Sequence, residues 1–227
     1  NLMKDERYSL LKDKPIFSVY RPYDIPNCIE YFEGLREFIS RELGLDVHIN
    51  SMIQYPPKDL NFLEVVDSVS LFQPGTAIFN ADALSNSETS LRNLLINLRS
   101  RLINSSESLR SLLNIFKPKK LKKYKYDDMW EIILKQSKED FYLGKPVIRG
   151  AFTDWDNTAR YKEEATIFLN ASPSKFYKYM TKLKEIILES STSENILYIN
   201  AWNEWGECAY LEPDESNGYG YLESIQR

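Results

Sequence analysis

Glu204 and Glu207 stand three positions apart in the stretch INAWNEWGECAYLEPD, residues 199–214, with Trp202 before them and Trp205 between them. Glutamate favours water and tryptophan favours burial, so their mixture directly after an apolar run needs a reason. Two carboxylates at that spacing on a sharp strand exit can face one space and serve as the acid and base of glycoside chemistry. Neighbouring aromatic rings suit the same task, because the axial C–H groups of a sugar pack on a π face. The plainer reading, solvent-facing glutamates around structural tryptophans, leaves the spacing unexplained.

Two further segments mix polar and aromatic residues. YRPYD supplies Arg21, Tyr23 and Asp24, and FTDWDNTAR supplies Asp154, Trp155, Asp156, Asn157 and Arg160. From these, Arg21, Tyr23, Asp24, Trp155, Asp156, Asn157 and Arg160 join Trp202, Asn203, Trp205 and Tyr210 as the expected substrate-binding set. Plainer readings exist for both segments. Arg21 and Asp24 can pair with each other or cap the following helix, and DWDN can be a turn, since Asp and Asn are standard turn residues. Asp154-Trp155-Asp156 also has the Asp-x-Asp form that holds Mn²⁺ or Mg²⁺ on a sugar-nucleotide diphosphate. No glycine-rich phosphate loop accompanies it, in a chain with 8 Gly. The expectation is no cofactor, with Mn or Mg on Asp154 and Asp156 as the alternative.

These segments converge only if the strands they leave share a sheet. Five short apolar runs read as strands, over 15–21, 45–53, 66–73, 146–152 and 195–202. Most are too continuously apolar for half-exposed strands, which is the pattern of parallel strands covered on both faces. The three polar segments leave the first, fourth and fifth. Amphipathic spacing predicts helices over 27–43, ended by Gly44, and over 126–141, opened by acidic residues. Another is predicted over 172–190, with Ser172 as N-cap and Pro173 at the first helical position, and a last one from Gly220. This alternation is that of an α/β fold, whose ligands bind at the C-terminal ends of the parallel strands. From 75 to 123 it breaks. Residues 88–116 have helical period and KPKKLKKYK follows, which reads as a helical insertion with a solvated basic edge, or as a phosphate or membrane-surface patch.

Composition narrows the classes. The chain has 227 residues, 43% hydrophobic and with net charge −4, which fits a globular domain and argues against a general nucleic-acid binder. Cys28 and Cys208 make no disulfide framework, and a single histidine, His48, excludes a His-rich zinc site. No apolar stretch approaches the ~20 residues that cross a bilayer, and the charged start NLMKDERYSLLKDK is no signal peptide. The expected location is the cytoplasm, at most peripheral to the inner membrane face.

INAWNEWGECAYLEPD followed by GYGYLESI resembles the C-terminal signature of the WbsX-like glycosyltransferase family, which is grouped with a glycoside hydrolase family 99-like (endo-mannosidase-like) domain. KPIFSVYRPYDIPN and DWDNTAR resemble two further segments of that family in the same order. The resemblance covers most of the chain and thins over 75–123. It implies a (β/α)8 TIM-barrel-like fold and an enzyme acting on bacterial surface polysaccharide of O-antigen or capsule type, with a glycan or sugar donor as partner. It also implies roles. Glu204 would deprotonate a sugar 2-hydroxyl, which attacks the anomeric carbon to give an epoxide-like intermediate, and Glu207 would protonate the leaving oxygen. Cys208 stands where the family usually has Gly, and a Cβ there would tilt Glu207.

A barrel needs eight strands, and five are legible. The expectation is therefore one domain, 1–227, forming the C-terminal part of a barrel, in a chain that begins mid-barrel without an initial Met. Such a sheet would leave Ile16–Tyr20 on an unprotected edge with apolar side chains exposed, inviting self-association. The competing functions are a metal-dependent nucleotide-sugar glycosyltransferase and an inactive or glycan-binding fragment.

Overall fold

The computed structural model describes residues 2–57, 59–87, 121–191 and 195–226. Each of the five apolar runs folds as a strand of one sheet. β1 (Leu10–Leu11) turns through Lys12 and Asp13, both at positive φ, into β2 (Lys14–Tyr20). α1 (Cys28–Leu43), stopped by Gly44 at φ 64, leads to β3 (His48–Ile53). β4 (Ser68–Leu71) is followed by α2 (Gly75–Ser87). β5 (Lys122–Lys125) and α3 (Tyr126–Ser137) precede a hairpin of β6 (Phe141–Tyr142) and β7 (Lys145–Phe152). The one-turn helix α4 (Thr158–Tyr161), β8 (Thr166–Leu169) and α5 (Pro173–Glu189) come next. Ser172 Oγ caps α5 by accepting the Lys175 N–H at 3.3 Å. β9 (Leu197–Asn200), the hairpin β10 (Asn203–Glu204) and β11 (Ala209–Tyr210), and α6 (Gly220–Gln226) follow.

β2, β3, β4, β7 and β9 lie side by side and parallel in that order, so strands that follow one another in sequence are neighbours in space. That order with helical crossovers is the wall of a barrel. The wall curls enough that Ser18 on β2 meets Tyr198 on β9 hydroxyl to hydroxyl at 2.8 Å. The result is a curled, parallel-rich half-barrel, in keeping with the five parallel strands expected.

Two apolar layers cover its outer face. Phe32 and Ile39 of α1 pack on Ile49, Ile53, Val69, Leu71 and Val147. Trp130 of α3 stacks between Phe152 and Tyr179, at ring distances of 5.5 and 5.4 Å, within a core that α5 and α6 complete. Each such ring, once buried, contributes about 2–3 kcal/mol through area alone. The inner face carries a polar cluster beside the apolar one of Leu11, Ile16 and Ile148. Asn50 donates to Ser70 at 2.8 Å and accepts from Ser68 and Ser70 at 3.0 Å, while His48 Nε2 meets Ser68 Oγ at 2.8 Å.

Several expectations change. β1 pairs with the foot of β2, and Ile16 is buried against Leu11 and Ile148, so apolar exposure on this edge falls on Leu10 and Tyr20. The helix predicted over 126–141 stops at Ser137, where the buried Arg149 guanidinium takes the Ser137 carbonyl at 3.1 Å. In the basic run, Lys122–Lys125 pairs in parallel with β8, and Lys122 bonds Asp82 at 2.7 Å, so this part is built into the fold. The insertion drawn at 75–123 begins with α2, whose Ala77 lies in the core; the helical reading of 88–116 lies outside the described residues. Among the described residues no helix is long and apolar enough to cross a membrane.

Candidate active site

Past Asn200 the chain leaves β9 and folds into the β10–β11 hairpin, with Asn203 opposite Tyr210 and Glu204 opposite Ala209. A 3-10 turn, Trp205–Glu207, closes it, and Cys208 ends that turn at φ 55. This left-handed backbone is the one glycine adopts without strain, which gives a physical reason for glycine at this position. Cys208 takes the conformation despite its Cβ. Burial pushes its thiol pKa up, and Asp156 and Asp154 add to the rise.

Glu204 and Glu207 flank the turn and share one cation. Arg160 of α4 places Nη1 2.8 Å from Glu207 Oε1 and 3.7 Å from Glu204 Oε1. The two carboxylate oxygens are therefore at most about 6.5 Å apart, within the ~10 Å that carboxyl pairs of glycosidases span. Glu207, with 14% of its side chain exposed, is the more enclosed; Glu204 shows 40%. The Asp156 N–H donates to the Glu207 carbonyl at 2.9 Å, joining the exits of β7 and β9 through backbone. The Arg160 pKa is raised, chiefly by its bond to Glu207.

The aromatic company divides into two kinds. Trp202 and Trp205 are about half exposed at this corner. Trp205 stacks on Tyr210 with ring centres 3.9 Å apart, and its Nε1–H donates to Glu212 at 2.6 Å. The Tyr210 pKa is pushed up to about 12 by burial and by its bond to Asp214. Asn203 lies exposed on β10. Trp155, expected to line the cleft, is instead a core ring, 7% exposed and packed with the α3 and α5 layer. The fourth strand exit turns Trp155 inward because its carbonyl accepts the Phe168 N–H at 2.8 Å, pinning it beside β8.

The plainer readings hold for much of the remaining set. Arg21 pairs with Asp24 at 2.7 Å and lies over Tyr23, which packs edge-on against Phe62. These contacts run to the β3–β4 connection, not to the glutamate corner. Asp156 Oδ1 accepts the Thr158 N–H at 2.9 Å and Asn157 Oδ1 accepts the Thr166 N–H at 2.7 Å, so both side chains are held by the turn. Asp154 accepts the Trp155 N–H at 2.6 Å. Its pKa is raised to about 6 by burial, with the Asp156 charge adding to the rise. Among the described residues no group of three or more His, Cys, Asp or Glu could hold a metal ion.

The polar lining of the curl was not anticipated. Ser18, His48, Asn50, Ser68, Ser70 and Tyr198 face inward, below Asn200, whose side chain donates to the Gln73 carbonyl at 3.0 Å. The signal lay in HINS and SVS, where polar residues alternate inside otherwise apolar strands.

A curled parallel sheet thus carries an acidic pair at its C-terminal rim, the side on which parallel α/β sheets bind ligands. The chain belongs to the Glycosyltransferase WbsX family, whose model matches residues 1–225. It is similar to the uncharacterized protein WxcX of Xanthomonas campestris pv. campestris strain B100, 26% identical over an alignment of 230 positions that covers 99% of this chain and 28% of that protein. WxcX of strain ATCC 33913 is 24% identical over the same shares. The chain thus spans little more than a quarter of the length of these curated relatives. A solved glycoside hydrolase-like protein superposes with a TM-score of 0.55 at 12% identity, over 97% of this chain and 56% of that one. At that identity the likeness speaks for the fold alone.

Proposed function

We propose that this chain carries the acid–base corner of a carbohydrate-active enzyme that makes or cleaves glycosidic bonds in bacterial surface polysaccharide. The observation that carries this is the grip of one guanidinium on both Glu204 and Glu207, beside two half-exposed tryptophans at the C-terminal rim of the sheet. In this reading Glu204 takes the proton of a sugar 2-hydroxyl, and the freed oxygen bonds to C1 as the glycosidic bond breaks. Glu207 gives its proton to the departing oxygen. Water or an acceptor hydroxyl then opens the epoxide-like intermediate at C1, returning a proton to Glu207 while the 2-oxygen regains one from Glu204. Trp202, Trp205 and Tyr210 offer rings to the sugar, and Asn203 an amide. No metal is needed, because carboxylates carry every proton.

In a (β/α)8 barrel further strands would close the sheet between the edges of β2 and β9, and residues 1–227 would be the C-terminal part of that single domain. Left open, those edges favour self-association. The expected place of work is the cytoplasm, at most peripheral to the inner membrane face. The metal-dependent alternative through Asp154 and Asp156 has less support, since Asp156 already accepts the Thr158 N–H and the half-buried Asp154 accepts the Trp155 N–H. The test is turnover of surface polysaccharide with EDTA present. The carboxylate reading expects activity to persist, and abolition with rescue by Mn²⁺ would transfer the roles to the two aspartates.

A further inference from the structure

Arg160 does more at this corner than a substrate-contacting residue would. One nitrogen of its guanidinium reaches both carboxylates, and its presence offsets their mutual repulsion. The frame beneath it does not depend on that contact. The Arg160 N–H donates to the Asn157 carbonyl at 3.0 Å, the Asn157 side chain is fixed to β8 through the Thr166 N–H at 2.7 Å, and the Asp156 N–H holds the Glu207 carbonyl at 2.9 Å. Bonds that do not involve the Arg160 side chain thus keep α4 against the glutamate turn. The side chain itself is 52% exposed. It crosses Gly206, where an added Cβ would come 3.7 Å from Arg160 Nε and 3.6 Å from Glu204 Oε1. Fixed at its root and open at its end, the arginine can leave the carboxylates without moving the fold.

We infer that Arg160 is a positioning residue that holds Glu204 and Glu207 together in the free protein and yields its place to a positively charged, sugar-like ring. The inference rests on the reading of the two glutamates as the reacting pair. A sugar passing through an oxocarbenium-like state puts positive charge between the two carboxylates, where the guanidinium now lies. The grip is uneven, tight on the enclosed Glu207 and loose on the exposed Glu204, so the base is released first and the turn last. Sugar and arginine then compete for one place. A neutral ground-state sugar competes poorly and a cationic ring competes well.

The experiment is calorimetric titration of the protein with 1-deoxynojirimycin and 1-deoxymannojirimycin, whose ring nitrogens are protonated near neutral pH. Methylguanidinium is titrated in parallel, with glucose and mannose as neutral controls. Arg160→Ala is expected to bind an iminosugar about tenfold or more tightly than the unaltered protein, while Arg160→Lys stays near the unaltered value. Adding Glu204→Gln or Glu207→Gln to Arg160→Ala is expected to remove the gain. Thermal melts confirm that each variant is folded. Equal affinity with and without Arg160, no binding to either, or a gain that survives both Gln changes overturns the inference. The two readings fail separately. Methylguanidinium bound by Arg160→Ala without iminosugar binding overturns displacement by a ring and counts against the sugar chemistry. Equal iminosugar affinity in both proteins, with glycan turnover lost in Glu204→Gln, overturns only the role of Arg160.

Discussion

Ser18 on β2 and Tyr198 on β9 meet hydroxyl to hydroxyl at 2.8 Å, although no backbone ladder joins their strands. A side-chain contact thus reaches across the inside of the half-barrel between its two end strands. Tyr198→Phe keeps the ring that packs near Ile16 and Ile148 and removes only this bond. Because the pair is accessible to water, the expected loss is about 0.5–1 kcal/mol by urea denaturation. A loss above about 2 kcal/mol would mean that the contact carries the curl itself.

Arg149 is a second clasp, on the outer side. Its side chain is 1% exposed and donates to the carbonyls of Ser137, Val147 and Glu139 and to Asp140 at 2.7 Å. Asp140 also accepts from Ser190 and Ser191, at the end of α5, and these bonds hold its pKa well below the usual carboxylate range. With the folded value depressed, this stabilisation is present above the unfolded pKa of about 4 and is lost as pH falls toward the folded one. Asp140→Asn is expected to cost about 2–4 kcal/mol near pH 7, since it strands a buried guanidinium, and less in acid. Denaturation at two pH values checks both halves.

Asp154 runs the opposite way. Its folded pKa, raised to about 6, lies above the unfolded value, so the folded state holds the proton more tightly. Stability contributed by this group is full below the unfolded pKa of about 4 and declines as pH rises to about 6, after which it stays level. Asp154→Asn keeps an acceptor for the Trp155 N–H and removes the buried charge. It is expected to stabilise the fold by about 1–3 kcal/mol near pH 7 and to change little near pH 4. No gain near neutral pH would show that Asp154 is charged at little cost.

What the sequence disclosed follows from the range of each interaction. The five apolar runs became the five parallel strands because burial on both faces leaves a local, continuous pattern. Ser172-Pro173 and Gly44 marked helix ends for the same local reason. β1, β6, β10 and β11 were missed because two residues carry no period. β5 was hidden in a lysine-rich run whose pairing with Thr166–Leu169 lies more than forty residues away. At the site, the paired glutamates were legible from spacing. The clamp by Arg160, 47 residues from Glu207, was not, nor was the inward turn of Trp155.

Cys208 tests the turn that carries the pair. At φ 55 a Cβ is strained, and a β-branched side chain more so. Cys208→Gly relieves the strain but loosens the unfolded chain, so stability should stay within about 1 kcal/mol. Cys208→Val is expected to destabilise by more than about 1 kcal/mol. Equal tolerance of Val and Gly would show that the turn relaxes, and that Glu207 is not held by its backbone.

Turnover of surface polysaccharide by the unaltered protein and by Glu204→Gln, measured side by side, tests the central claim most directly. Glutamine matches glutamate in shape, so it removes the base and leaves the hairpin, the Trp205–Tyr210 stack and the fold in place. A loss of about a hundredfold or more, with an unchanged melting temperature, is the predicted result, since a positioned acid or base contributes roughly that much. Full activity in Glu204→Gln would contradict the account.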